Sequence, residues 1–284
     1  MTHCLAESLI HHNGFNGADM AKRFTEGYLD NPRRGYGSNV VDVFSALHME
    51  KYEDPFGPAE RQFRGSGSFG NGAAMRIAPV ALFGYDLSSE ELSELAAKCS
   101  KITHSNVKGV NGAILQCHAI RTALRWEGDF DESRYVKGLL EIVTELEANC
   151  DERDKIYTAS MEEMLQIVEG SHRVEDPSSQ QIADIFGNSV SAMKSVPSAI
   201  YSAVRAHKPL AEFASSNPFT RALFLSISLG GDTDTIASMA CAIIGALHGE
   251  SSIPEPLIKQ CESYEVSIRL ADALFEKVSM KVKT

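Results

Sequence analysis

Two short segments carry most of the chemistry this sequence offers. The first runs Gly65, Ser66, Gly67, Ser68, Phe69, Gly70, Asn71, Gly72 and leads into Ala73, Ala74, Met75 and Arg76. Four glycines in eight residues free the backbone for positive φ and for close approach to a ligand. A helix beginning just after them would aim N–H groups and its dipole at a diphosphate. The string also fits G-x-G-x-x-G, but the lead-in is Pro58, Ala59, Glu60, Arg61, Gln62, Phe63, not an apolar strand. No Lys follows Gly70 either. The dinucleotide-fold and P-loop readings therefore both fail on context. On composition alone, a flexible surface loop fits the string as well as an anion cradle does.

The second segment is Leu229, Gly230, Gly231, Asp232, Thr233, Asp234, Thr235, set between two apolar helical stretches. Carboxylates in such a setting are costly unless something pairs with them. Asp232, Asp234 and the Thr235 hydroxyl are all oxygen donors, the set that Mg²⁺ or Ca²⁺ prefers. Gly230 and Gly231 let the chain turn so that the carboxylates converge. The plainer alternative is helix N-capping, for which Asp and Thr are favoured. A D-x-D-x-[TV] phosphotransferase with Asp232 as nucleophile is disfavoured, because the fifth position is Ile236 and no strand leads in.

His104, in Thr103-His104-Ser105-Asn106, stands at a junction between helices. A lone histidine there is more naturally a capping or core group than a catalyst. The remaining histidines show no zinc-ligand spacing.

The elements that must position these residues are helices. Met1, Leu5 and Leu9 recur at four, as do Met20, Phe24 and Tyr28; Val40, Phe44 and Leu47 follow. Ser88 with Glu91 reads as a capping box ahead of Leu92, Leu95, Cys99 and Ile102. The pattern continues through Val107, Val110, Ile114, Cys117 and Leu124, then Leu139, Val143 and Leu146. Met161, Met164 and Val168 continue the period, and the Met stripe at 161 and 164 reads as core packing, not a cofactor box. Later helices centre on residues 199–204, 220–228 and 236–247. A last helix is expected to carry Leu257, Cys261, Tyr264, Ile268, Ala271 and Phe275 on one face. Alternating strands are absent, and residues 170–181 (GSHRVEDPSSQQ) are the best loop candidate. The expectation is one all-α domain over residues 1–284.

Composition agrees. The 284 residues are 43% hydrophobic and 23% charged, a globular profile. A net charge of −11 argues against general nucleic-acid binding, which needs clustered bases. It leaves room for a small anion held by backbone N–H groups. Six scattered cysteines without a C-x-x-C pair suggest reduced core thiols. No stretch reaches the length of a membrane span, and residues 1–12 do not read as a secretory signal.

Taken in order, several strings resemble the ADP-ribosylglycohydrolase family. They are PRRGYG at 32–37, GSFGNGAAMR at 67–76, Thr103-His104, VNGAIL at 110–115, Gly187-Asn188, SVPSAIY at 195–201 and SLGGDTDTIA at 228–237. The likeness is nearest to the vertebrate type-three branch, which removes ADP-ribose from serine and degrades poly(ADP-ribose). The resemblance implies an orthogonal all-helical bundle with two Mg²⁺ ions in a central cleft. It puts metal on Asp232, Asp234 and Thr235, and the ADP-ribose diphosphate and distal ribose on Ser66, Gly67, Ser68, Phe69, Gly70, Asn71 and Gly72. It makes His104 a ligand contact and places Gly35, Phe63 and Val190 on the pocket lining. Phe69 stands where a tyrosine is common, keeping a stacking face without the hydroxyl.

The family also carries an earlier T-D-D-T-x-M motif and, before it, a glutamate on a mobile flap. Met1 aligns with the last residue of that motif. On this likeness the chain lacks an N-terminal segment, through an internal start, alternative splicing or an incomplete gene model. No catalytic acid is then assignable within it, and one Mg²⁺ or none is expected instead of two. The implied partners are ADP-ribose, ADP-ribosylated proteins and O-acetyl-ADP-ribose, with a monomer, no sequence-specific nucleic-acid contact and no membrane. The implied setting is DNA damage response and repair, in nucleus and cytoplasm, with mitochondrial matrix for longer forms. The alternative to an impaired hydrolase is a non-catalytic ADP-ribose-binding isoform.

Overall fold

Leu5 and Leu9, four apart in sequence, are fully buried on one face of α1 (Thr2–His12). The helix stops where Asn13 turns left-handed at φ 49°. The structure, a computed structural model, describes residues 1–170 and 177–281. Every regular element among these is helical, as the periodicity predicts, and Leu210 and Phe213 form an isolated antiparallel bridge outside any strand. The described residues gather into two compact units, 1–117 with 261–281, and 118–260.

In the first unit, Asn16 caps α2 (Gly17–Asp30) by accepting the Asp19 N–H at 3.0 Å. Met20 and Phe24 are buried on its inner face. Tyr28 tilts against Phe44 of α3 (Ser38–Met49), ring centroids 5.5 Å apart, so the two predicted stripes meet. Four short pieces follow: α4 (Gly57–Glu60), α5 (Gln62–Gly65), α6 (Gly72–Met75) and α7 (Ala78–Phe83). Glycines and the prolines Pro58 and Pro79 interrupt any longer run of helix formers here. The reciprocal capping box of Ser88 and Glu91 opens α8 (Ser89–Lys101), and a cap of this kind contributes about 1 kcal/mol. The 18-residue α9 (Val107–Leu124) begins in this unit and ends in the next.

The second unit holds α10 (Glu132–Leu146), α11 (Ile156–Val168), α12 (Ser179–Phe186), α13 (Ala192–Ala206), α14 (Pro218–Ser228), α15 (Thr233–His248) and α16 (Glu255–Gln260). Met161 and Met164 are core residues of α11, as expected. The buried Glu147 carboxylate accepts the Tyr157 and Thr158 N–H groups at 3.1 and 2.8 Å and so satisfies the start of that helix. The expected loop at 170–181 ends sooner than predicted. Ser178 and Gln181 form a capping box, which puts 179–181 in the first turn of α12; residues 171–176 lie outside the described part of the chain. Helices α13, α14 and α15 pack on one another.

The final helical stretch departs from the sequence reading in two ways. Its single predicted helix is two, α16 and α17 (Tyr264–Lys281), separated where Ser263 takes φ 59°. Its buried face is also different. Leu270, Leu274 and Val278 are buried, whereas Cys261 is exposed and Phe275 is 72% exposed. The aliphatic stripe at i, i+4, i+8 wins because α17 lies on α1 and α7, back in the first unit.

Candidate active site

The approach to the glycine string is left-handed. Phe63 and Arg64 have φ of 50° and 59°, Gly65 89° and Gly67 68°. Two consecutive non-glycine residues in that region persist only where the surroundings over-determine them. Here they do. The Gly67 N–H donates to Gln62 O at 3.1 Å, Asn106 Nδ2 to Ser66 O at 2.7 Å, and Ser105 Oγ to Ala59 O at 2.9 Å. A Cβ on Gly67 would fall 2.1 Å from Ser105 Oγ and 2.6 Å from Asn106 N. From the other side, a Cβ on Gly109 of α9 would fall 2.9 Å from Ser68 O. The string is thus a fixed turn seated on residues 105–109.

Two features of the turn correct the sequence reading. Of its four glycines only Gly65 and Gly67 use positive φ. Gly70 and Gly72 serve by lacking a side chain: a Cβ on either would stand 3.3 or 3.2 Å from Nε2 of His104. The helix that follows, α6, is a single turn and has no macrodipole to offer. Anion binding must come from individual N–H groups, of which Gly70 N–H already donates to Ser68 Oγ at 3.2 Å.

His104 lies directly beneath this turn, 8% exposed. Burial, with the Arg76 charge adding to it, pushes its pKa down to about 3, so the ring is neutral at physiological pH. Its Nδ1 is 2.7 Å from Thr103 Oγ1. That oxygen accepts Arg76 Nη2 at 2.7 Å. Asn71 is mostly buried, while Phe63 and Phe69 are each about half exposed, at 49% and 50%. Gly35, at φ 70°, is exposed. Gln62 Nε2 donates to Asn39 O and so joins the segment after Gly35 to the residue before Phe63.

The second unit presents the acidic segment. Gly230 and Gly231, at φ 69° and 66°, turn the chain out of α14 and into α15. The Asp232 N–H donates to Asn188 O at 2.8 Å, and Asn188 Nδ2 donates to Leu229 O at 2.7 Å. The Ser198 hydroxyl in turn donates to Gly187 O. Asp232 occupies the N-cap position of α15, yet its side chain makes no capping hydrogen bond. The plain capping account of Asp232 thus lacks its defining hydrogen bond. Asp234 is exposed in the first turn and accepts the Thr235 N–H on Oδ1 at 2.9 Å; Thr235 is buried. A helix, not a strand, leads into Asp232, which also counts against the phosphotransferase reading.

The donor chemistry fits a hard cation: two carboxylates and a hydroxyl within one helical turn. Among the described residues, no three His, Cys, Asp or Glu side chains come together as a ready-made cage. Asp232, Asp234 and Thr235 could therefore hold one Mg²⁺ whose other ligands are water or substrate oxygens.

Comparison with known proteins decides the family. The ADP-ribosylglycohydrolase family model matches residues 1–283. The chain belongs to the ADP-ribosylglycohydrolase family, a family of glycosidase-type hydrolases. It is 37% identical to the human protein named ADP-ribosylhydrolase ARH3 over 284 residues, covering 96% of this chain and 76% of that one. The Xenopus tropicalis protein of the same name is 38% identical over 271 residues, covering 93% and 76%. A solved structure described as an ADP-ribosylglycohydrolase-related protein complex shares the fold, with TM-score 0.63 at 22% identity, covering 97% of this chain and 79% of that chain.

The predicted residues thus fall in two groups. Ser66, Gly67, Ser68, Phe69, Gly70, Asn71 and Gly72 are brought together with His104 in the first unit. Asp232, Asp234 and Thr235 share one turn in the second, where Val190 lies two residues beyond Asn188 and is 68% exposed. The sequence reading missed the supporting residues Arg76, Thr103, Ser105, Asn106, Gly109 and Asn188. Adjacency was the one available signal, since each stands within or beside a string that carries the family resemblance.

Proposed function

We propose that this chain recognises ADP-ribose joined to serine on proteins and within poly(ADP-ribose), and acts on the glycosidic bond at ribose C1″. The observation that carries the reading is the seating of Gly70 and Gly72 over His104. This leaves a backbone-lined surface, with a neutral imidazole at its floor, next to the exposed ring of Phe69. N–H groups at close range suit a diphosphate, and an aromatic face suits a sugar or base. The likeness to proteins named ADP-ribosylhydrolase supports the same substrate class.

Asp232, Asp234 and Thr235 would hold Mg²⁺, which when bound supplies Lewis-acid polarisation of oxygen and orients hydroxyls. The turn at 66–72 would bind and orient the diphosphate, and His104 would donate a hydrogen bond without changing protonation. Cleavage at C1″ develops oxocarbenium character, so orientation of the ribose and exclusion of stray water matter most. O-acetyl-ADP-ribose offers the same recognition groups.

A binding-only role is the second reading. It is favoured by the presence of just two carboxylates at the D-x-D-T turn and no third acid clustered with them among the described residues. One experiment separates the two. Residues 1–284 are incubated with serine-ADP-ribosylated peptide in Mg²⁺ and in EDTA, with calorimetry of free ADP-ribose alongside. Mg²⁺-dependent release of ADP-ribose supports hydrolysis, and binding without release supports the second reading. If ADP-ribose neither binds nor is released, both readings fall.

A further inference from the structure

His104 can present either a donor or an acceptor at Nε2, and the residues behind it determine which. Arg76 is 1% exposed, and among the described residues no Asp or Glu contributes to the electrostatics of its guanidinium. Nη1 donates to Gly72 O at 3.2 Å, Nη2 donates to Cys99 O at 3.2 Å and to Thr103 Oγ1 at 2.7 Å, and the Phe24 ring lies 4.8 Å from Cζ. Burial lowers its pKa only to about 10, so it stays charged. A guanidinium donates and never accepts. The Thr103 oxygen is therefore an acceptor toward Arg76, and its own proton needs an acceptor elsewhere. The second partner of that oxygen is Nδ1 of His104 at 2.7 Å. If Nδ1 carried the ring proton, Thr103 would receive two donors and its buried hydroxyl proton would have no place to go. A further N–H dipole would also point its positive end toward the Arg76 charge.

We propose that Arg76 and Thr103 are positioning residues that orient hydrogen-bond polarity along the line Arg76 to Thr103 to His104, holding the imidazole as its Nε2–H tautomer. The histidine thereby offers a fixed donor to a ligand oxygen through the gap left by Gly70 and Gly72. The inference deepens the reading of this turn as an ADP-ribose cradle and rests on it for the identity of the ligand. The glycines belong to the same device. With Cβ positions 3.0 Å from Cε1 and 3.2 Å from Nε2, a side chain at Gly72 would cover the face that the relay prepares.

The test combines two measurements on the whole chain. Histidine-labelled protein, with His104 assigned by comparison with His104→Asn, is studied by long-range nitrogen–proton NMR. The expected pattern for His104 is a protonated Nε2 and an unprotonated Nδ1 across the neutral range. In Thr103→Val that pattern gives way to mixed tautomers, and ADP-ribose affinity by calorimetry falls roughly tenfold, the worth of one hydrogen bond. Thr103→Ser keeps the hydroxyl and restores both. A wild-type ring protonated at Nδ1, or an unchanged tautomer in a folded Thr103→Val, overturns the relay whatever happens to binding. A changed tautomer with unchanged affinity overturns the presentation of a donor to the ligand. If wild type shows the Nε2–H ring and yet binds no ADP-ribose, the relay stands and the cradle reading fails. Should Thr103→Val not fold, the wild-type spectrum together with Thr103→Ser decides the tautomer.

Discussion

The carbonyl oxygen of Asn188 stands 2.8 Å from the Asp232 nitrogen and would be 2.0 Å from a Cβ placed on Gly231. One backbone atom thus sets where the acidic turn begins and forbids any side chain on the residue before it. With φ at 66°, Gly231 is also in the region that L side chains rarely adopt. Gly231→Ala is expected to cost about 2 kcal/mol or more through strain and displacement of Asn188. Mg²⁺ binding should fall in parallel. Urea melts and calorimetry check both, and a variant that keeps its stability would show that the turn yields easily.

Asp232→Asn and Asp234→Asn should each weaken Mg²⁺ binding more than tenfold, because each removes half of the anionic charge at a turn that offers two carboxylates. Thr235→Val should have a smaller effect, since it removes a neutral donor. Calorimetric titration of Mg²⁺ is the measurement. Equal affinity in wild type and both Asn variants would eliminate the metal assignment.

The glycines of residues 65–72 should separate by role. Gly67→Ala meets Ser105 and the Asn106 backbone at φ 68° and should destabilise the fold by about 1–3 kcal/mol. Gly70→Ala approaches the His104 ring at 3.3 Å and the Ser68 hydroxyl at 3.4 Å, both side-chain atoms, and should leave the melting temperature nearly unchanged while lowering ADP-ribose affinity. Thermal melts with paired calorimetry distinguish these outcomes. Normal binding by folded Gly70→Ala would make the turn a structural element only.

Stability should fall on acidification before the carboxylates titrate. Burial depresses the His104 pKa to about 3 and the His118 pKa to about 4, from an ordinary 6.5. The unfolded chain therefore binds more protons than the folded one below about pH 6.5. The stabilisation is complete above that pH and is lost progressively toward the folded values, at up to about 1.4 kcal/mol per pH unit per group. Urea unfolding at about pH 7 and about pH 5 measures the slope. His104→Asn should reduce it, and an equal slope in that variant would contradict the neutral, buried ring.

Helix content was legible in the sequence because its signal is local. Met20, Phe24 and Tyr28 repeat at the helical period, and the Ser88–Glu91 box declares its own helix start. The face of α17 was not legible, because Ile268 and Phe275 make as plausible an apolar stripe as Leu270, Leu274 and Val278 until α1 and α7 are in place. The site shows the same division. The glycine string and the D-x-D-T turn stand out by composition. That Gly70 serves His104 rather than a left-handed turn depends on a contact across more than thirty positions of sequence. Arg76 resembles any surface arginine in the sequence, and only its burial against Phe24 and Thr103 shows otherwise.

The return of α17 to α1 and α7 has a consequence for how the chain acquires its structure. The first unit is discontinuous, with residues 118–260 inserted between its parts, so its last packing step joins α1 to a helix about 250 positions away. Residues 118–260 are contiguous and can close on themselves while the ribosome is still adding the rest. The packing of α17 on α1 and α7 must wait for residues 264–281 to emerge. Non-local closure of this kind slows folding. It also leaves the parts of α1 and α7 that α17 covers open until residues 264–281 have been made, while α2 can already pack on α1.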